Sequence, residues 1–299
     1  MSNKPKSESM LFGIVLLLIS GLGFTCSVLI AKMAMNAGLD INTSNAVRYS
    51  WATILLWVWQ KTISKPQGIT ARERYAALVL GLAVFLMGVG YLGATQYIPV
   101  SLSVLIFYTG PFFIIIISRF TENEPITALR LAAICMAFIG LTLILGIKTT
   151  GPLPIRGILL GFTAAIGMAL FVTLSSLTIR KAAPQIVNLY SLFSGTLLFG
   201  LFLYIMGGPS GTITLSGVLK LMGSGLSIAI GYICFFSGLK IIGPVRASIL
   251  LNAEPVYTIA LAALLLGERL SSIQFLGAAL VITSIVLITT KTGSATQSG

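Results

Sequence analysis

Apolar residues run through this chain in blocks of about 20, divided by short polar or Gly/Pro-marked breaks. They show neither the two-residue alternation of a half-buried strand nor the narrow stripe of a soluble amphipathic helix. Ten such blocks are legible, at residues 10–33, 43–60, 75–97, 101–120, 128–147, 157–179, 187–207, 216–239, 245–266 and 271–290. A helix rises 1.5 Å per residue, so about 20 residues cross a hydrocarbon layer of about 30 Å. The pattern predicts an all-α membrane protein with ten transmembrane helices. The first block follows Lys4 and Lys6, as the core of a signal peptide would. Its apolar run is too long for one and no small-residue cleavage pattern follows cleanly, so it reads as a mature helix.

Composition agrees. Hydrophobic residues make up 56% of the chain and charged residues 9%, against about 25% charged in soluble domains, which excludes an ordinary soluble protein. The net charge of +12 reads as topology rather than as a nucleic-acid footprint, because Lys and Arg concentrate in cytoplasmic loops. With the N-terminus placed inside, 13 of the 19 Lys and Arg fall on the cytoplasmic side, so both termini are expected there. Histidine is absent, which removes the commonest acid–base group and metal ligand together. Cys26, Cys135 and Cys234 lie far apart inside apolar blocks and read as inert packing residues. No cofactor is expected.

The chain also repeats itself at an offset of 144 residues. Gly13, Ile14 and Leu16 align with Gly157, Ile158 and Leu160, Gly23 with Gly167, Pro111 with Pro255, and Glu124 with Glu268. Residues 1–150 and 151–299 are therefore expected to be two five-helix repeats in a single membrane domain. Five is odd, so the second copy enters the bilayer from the opposite side, an inverted arrangement suited to alternating access.

Pro111 and Pro255 fall near the middle of their blocks. Each lacks the N–H that would bond the carbonyl four residues earlier, on Phe107 and Leu251, and is expected to kink its helix. Kinks placed symmetrically near the midplane fit a central cavity better than incidental packing.

Of seven acidic residues, Glu254 alone lies deep in a span. Intramembrane acids are costly and are functional candidates by default. It either attracts a substrate ammonium, titrates in proton exchange, or serves structure through a hydrogen bond to Gln96 or a Tyr hydroxyl. On an unbroken helix Asn252 sits about 200° away from it, whereas Tyr257 shares its face. Tyr91, Phe107, Tyr108, Phe112, Tyr232 and Phe235 are positioned to stack an apolar ring. Trp51, Trp57 and Trp59 read as lipid-facing. Lys32 and Arg48 lie toward the outer side, where snorkelling to the interface is the simpler account and contact with a carboxylate the alternative. Glu124 and Glu268 precede Thr127 and Ser271, which cap the helices that follow.

The run AEPVYTIALAALLLGERL, its weaker echo TGPFFIIIISRFTENEP and the ten-helix inverted layout resemble the drug/metabolite transporter superfamily, specifically its EamA-type exporters. Within it the chain looks most like the bacterial aromatic amino acid exporters. The resemblance implies an inner-membrane carrier, not an enzyme, with a central cavity between the repeats. Its partners would be a small-molecule substrate, an amino acid foremost, and the lipid bilayer, with no nucleic acid and the oligomeric state open. On this reading Tyr91, Tyr108, Tyr232, Asn252, Glu254 and Tyr257 are the candidate substrate-binding residues. A multidrug or other metabolite carrier of the same superfamily is the alternative, and a channel is the alternative of another class. No HExxH, GxSxG or DxxD-type pair within the spans supports an intramembrane enzyme.

Overall fold

The computed structural model describes residues 6–35, 37–62, 68–123, 125–146, 153–266 and 271–290. Among them are twelve helices: α1 (Lys6–Met35), α2 (Ile41–Thr62), α3 (Ala71–Thr95), α4 (Val100–Phe107), α5 (Gly110–Thr121), α6 (Ala128–Leu145), α7 (Ile155–Ile179), α8 (Pro184–Ile205), α9 (Leu215–Ile242), α10 (Pro244–Leu251), α11 (Glu254–Leu266) and α12 (Ser272–Thr290). The one extended contact among the described residues is an isolated antiparallel bridge between Leu39 and Gly211. The chain is all-helical, as the pattern predicts. Eight segments are long and apolar enough to cross a membrane, with α4 and α5 together forming one of them. The expectation of ten spans is thus met for eight. The second block holds a more polar helix, α2, and the ninth is divided between the short helices α10 and α11.

The helix bounds follow the 144-residue offset closely. It relates α4 to α10 residue for residue, and the first residues of α3, α5 and α6 to those of α9, α11 and α12. The chain breaks at Tyr108–Thr109 and at Asn252–Ala253, which are also 144 residues apart. These are full breaks rather than the expected kinks. Each proline becomes the second residue of a new helix, where its missing N–H has no intrahelical partner to lose. The chain before it closes on itself. Tyr108 N bonds Val104 O, Thr109 N bonds Ile106 O, and Thr109 Oγ1 donates to Ile106 O at 2.6 Å. In the second copy Asn252 N bonds Ile249 O and Ala253 N bonds Leu250 O. The helical-wheel separation of Asn252 from Glu254 therefore does not apply, because Asn252 caps the end of α10 whereas Glu254 begins α11.

Packing repeats with the same period. A Cβ on Gly23 of α1 would lie 3.0 Å from Ser227 O and 3.1 Å from Gly231 Cα of α9. One on Gly167 of α7 would lie 3.2 Å from Ala83 O and 3.0 Å from Met87 N of α3, the equivalent positions. Only glycine lets these backbones approach so closely, the small-residue packing typical of membrane helices. Gly140 of α6 and Gly277 of α12 meet in the same way. Serines reinforce the seam, with Ser27 and Ser224 hydroxyls 2.8 Å apart between α1 and α9.

Two polar ties close the ends of the bundle. At one, Asp40 caps α2 by accepting from Asn42 N and Thr43 N, and its second oxygen accepts from Ser210 N. Thr212 N adds a bond to Gly38 O. At the other, Arg180 at the end of α7 pairs with Glu122 at the end of α5. The sequence assigns the first pair of loops to the outer face and the second to the inner. Thr127 and Ser271 cap their helices as expected, accepting from Arg130 N and Gln274 N. Glu124 and Glu268 themselves lie outside the described residues. All three cysteines are free and half-buried, and Trp57 is exposed on the outer surface of the bundle.

Candidate substrate site

The two helix breaks meet. Tyr108, the residue at the first break, donates its hydroxyl hydrogen to Oε2 of Glu254, the first residue after the second break, at 3.1 Å. Glu254 stands in the first turn of α11, where the positive end of the helix dipole favours a carboxylate. Its backbone carbonyl accepts from Thr25 Oγ1 of α1 at 3.2 Å and from Thr258 Oγ1 at 3.0 Å. The acid is thus fixed by three helices, α1, α4 and α11. Of the structural partners weighed from sequence, a Tyr hydroxyl is the one realised, and Gln96 is exposed at the end of α3.

Aromatic rings continue outward from this pair. Phe107 packs edge-on against Tyr108 at 5.5 Å between centroids and against Tyr91 of α3 at 5.9 Å. On another side, Tyr232 of α9 meets Phe24 of α1 at 5.0 Å and Phe171 of α7 at 5.8 Å. Tyr49 of α2 stacks on Phe199 of α8 at 5.0 Å. The guanidinium of Arg48 lies 5.3 Å from the Tyr49 ring centre.

Of the candidates, Tyr108 bonds Glu254 directly and Tyr91 joins the pair through Phe107, whereas Tyr232 packs against Phe24 and Phe171. Tyr257 is half-buried and faces α1, its ring 3.4 Å from where a Cβ on Gly21 would stand. The hydrogen-bond partner of the Glu254 carboxylate is Tyr108, reached across the bundle rather than along α11. Asn252 is buried as the α10 cap. Phe112 packs outward on Phe138 of α6, and Phe235 is stacked on Phe171 in the core. Sequence reasoning passed over Phe24, Thr25, Tyr49, Phe171 and Phe199. Their contacts are made with residues distant in sequence, which a linear sequence does not display.

This arrangement suits binding of an amphipathic molecule, with rings to sandwich an apolar group and fixed charges to hold polar ones. Residues 11–146 and again residues 155–290 match the profile of the EamA-like transporter family. The chain belongs to the EamA-like transporter family. The two matches have the same length and lie 144 residues apart, the offset seen in the helix bounds. Among curated relatives, an uncharacterized transporter of Clostridium kluyveri is 28% identical over 202 residues, covering 65% of each chain. An uncharacterized transporter of Bacillus subtilis, YoaV, is 26% identical over 244 residues, or 79% of this chain and 81% of its own. A probable amino-acid metabolite efflux pump of Escherichia coli is 28% identical over 201 residues, or 63% of this chain and 67% of its own. A solved crystal structure covers 96% of this chain and 99% of its own at a TM-score of 0.81 and 18% identity, a likeness of fold. As an EamA-like transporter the chain is a multi-pass membrane protein that acts on a small molecule.

Proposed function

We propose that this EamA-like transporter exports small amphipathic metabolites, aromatic amino acids foremost, across the inner membrane by alternating access. Its ten transmembrane segments form two inverted repeats, residues 1–150 and 151–299, with both termini in the cytoplasm. The observation that carries this reading is the meeting of the two helix breaks at the Tyr108–Glu254 pair, with the rings of Phe107 and Tyr91 packed beside it. Rings sandwich an aromatic side chain through offset and edge contacts worth about 0.5–1.5 kcal/mol each. The carboxylate of Glu254 attracts an ammonium group. The half-helices α5 and α11 both begin at this level, an arrangement that transporters with broken helices use at midplane sites. The amino-acid metabolite pump of Escherichia coli among the relatives is consistent with such a substrate.

In this mechanism the Glu122–Arg180 tie holds the inner end shut and must part for substrate to enter from the cytoplasm. The repeats then exchange conformations, and the site faces the other side. Purified protein in liposomes should take up labelled phenylalanine or tryptophan, with competition among aromatic analogues. Absence of flux for every amino acid tested would remove the substrate assignment.

A further inference from the structure

Serine and threonine hydroxyls inside a helix commonly bond back to a carbonyl about one turn earlier. Thr121 of α5 bonds Ile117 O in this way, and Thr178 of α7 bonds Leu174 O. Ser118 and Ser175, close by on the same two helices, do not. Both are 0% exposed, and among the described residues neither Oγ has a hydrogen-bond partner. The carboxylate of Glu122 is in a similar position. Its side chain is 2% exposed and its Oε2 takes Arg180, but its Oε1 is buried without a partner.

These three atoms lie along one seam. At its upper end a Cβ on Gly110, the first residue of α5, would stand 2.9 Å from Met168 Sδ and 3.3 Å from Ala165 O of α7. At its lower end Glu122 pairs with Arg180. Both pairs, Gly110 with Met168 and Glu122 with Arg180, are separated by 58 residues in sequence, so α5 and α7 run side by side in the same direction and in one register. That register sets Ser118 level with Ser176, while Ser175 follows Met168 by two turns and shares the face that meets α5. Glu122 follows Ser118 by one turn, its N–H bonded to the Ser118 carbonyl. At the inner end the seam opens into a cavity of about 150 Å³ lined by Glu122, Ser176, Ile179 and Arg180 and, from the end of α9, by Lys240. At the other end it reaches the helix break that carries Tyr108, the partner of Glu254.

Polar atoms without partners are costly in a membrane bundle and are tolerated where they line a water-filled space. We propose that the α5–α7 seam is the inner half of the transport route, with Ser118 and Ser175 as its lining and the Glu122–Arg180 pair as its latch. When the latch parts, the inner cavity extends along the seam to the Tyr108–Glu254 pair, and water or a polar solute satisfies the two hydroxyls and the free carboxylate oxygen. This rests on the transport reading above and deepens it by assigning the entry route to named side chains.

The test uses the full-length chain in sealed membrane vesicles, with Cys26, Cys135 and Cys234 replaced by alanine and one of Ser118→Cys, Ser175→Cys or Ser284→Cys added. The probe is a membrane-impermeant sulfonated thiosulfonate. Ser118→Cys and Ser175→Cys should react slowly while the latch is intact and about tenfold faster when Glu122→Gln removes it, the change expected from loss of one charge-assisted hydrogen bond. Ser284→Cys of α12 should stay unreactive in both backgrounds, because Ser284 is 0% exposed and bonded to Val281 O. Ser118→Cys and Ser175→Cys unreactive from either side of the membrane after Glu122→Gln, in protein that elutes as a single folded species, would overturn the route. Equal reaction with and without the latch would overturn the role of the Glu122–Arg180 pair. Hydrogen exchange reads the same opening with both serines in place: amides of α5 should exchange faster in Glu122→Gln than in the wild type while those of α12 are unchanged, and no difference in α5 would overturn the inference. Labelling does not depend on which solute is carried, so latch-dependent labelling without phenylalanine flux would remove the substrate assignment and leave this route standing.

Discussion

Tyr108 and Glu254 are joined by a 3.1 Å hydrogen bond although 146 residues separate them, and in the repeat neither has its own counterpart. Tyr108 stands where the second copy has Asn252, and Glu254 where the first has Gly110. The backbone break is shared by both copies, whereas the chemistry placed at it is divided between them. A phenol came from one repeat and a carboxylate from the other, so the polar pair exists only at their junction.

Tyr108→Phe keeps the ring and deletes the donor. Interhelical hydrogen bonds in membranes are worth about 0.6 kcal/mol on average and up to about 1.7. Thermal unfolding in detergent should therefore move down by only a few degrees, while amino-acid flux falls more than the stability loss explains. Unchanged flux would show that the phenol does not position the acid.

Glu254→Gln retains the shape and the capacity to accept from Tyr108 while removing the charge. Expression and elution as a folded monodisperse species should be retained and transport should drop. Flux equal to wild type across pH 5–8 would exclude both ammonium binding and proton exchange at this residue.

The glycine seam gives a symmetric prediction. Gly23→Leu and Gly167→Leu should each disrupt folding, because each places a side chain about 3 Å from backbone of the facing helix. Overpacking of this kind costs about 1–3 kcal/mol or more. Gly200→Leu, with nothing within 4 Å of the added Cβ, is the matched control and should express normally. The two disruptive substitutions should have similar size, as their contacts are repeat-equivalent; a fluorescence-detected elution profile measures all three.

Much of this was legible in the chain. Blocks of apolar residues located the helices, the 144-residue offset paired the two prolines that stand beside the breaks, and the isolation of Glu254 among apolar residues marked the acid. The partner of Glu254 was not legible from the helical wheel, because a wheel compares only residues of one helix and Tyr108 comes from the other repeat. It pointed to Tyr257 on the same helix, when the contact is made across the bundle by Tyr108. Long-range packing decides this contact, and no local pattern encodes it.

Asp40 makes the tie between the α1–α2 and α8–α9 loops sensitive to acid. Burial pushes its carboxyl up, but hydrogen bonds from Thr43, Ser210 and Asn42 outweigh burial and hold it below the usual carboxylate value. A lowered folded-state value means that the stabilisation is present above the unfolded value of about 3.9 and is lost as pH falls through the lower folded one. Asp40→Ala should cost about 1 kcal/mol, as for loss of an N-cap. The gap in unfolding temperature between it and the wild type should be level from pH 8 to pH 5 and close below about pH 4. A gap that widened on acidification would contradict the assignment.

Exchange across the membrane tests the central claim most directly. Liposomes containing the protein should release labelled phenylalanine faster when unlabelled phenylalanine is present outside, with a rate that saturates as the internal concentration rises. That behaviour requires a site that alternates between the two faces. Release that is linear in concentration and indifferent to external phenylalanine would contradict alternating access and favour a channel.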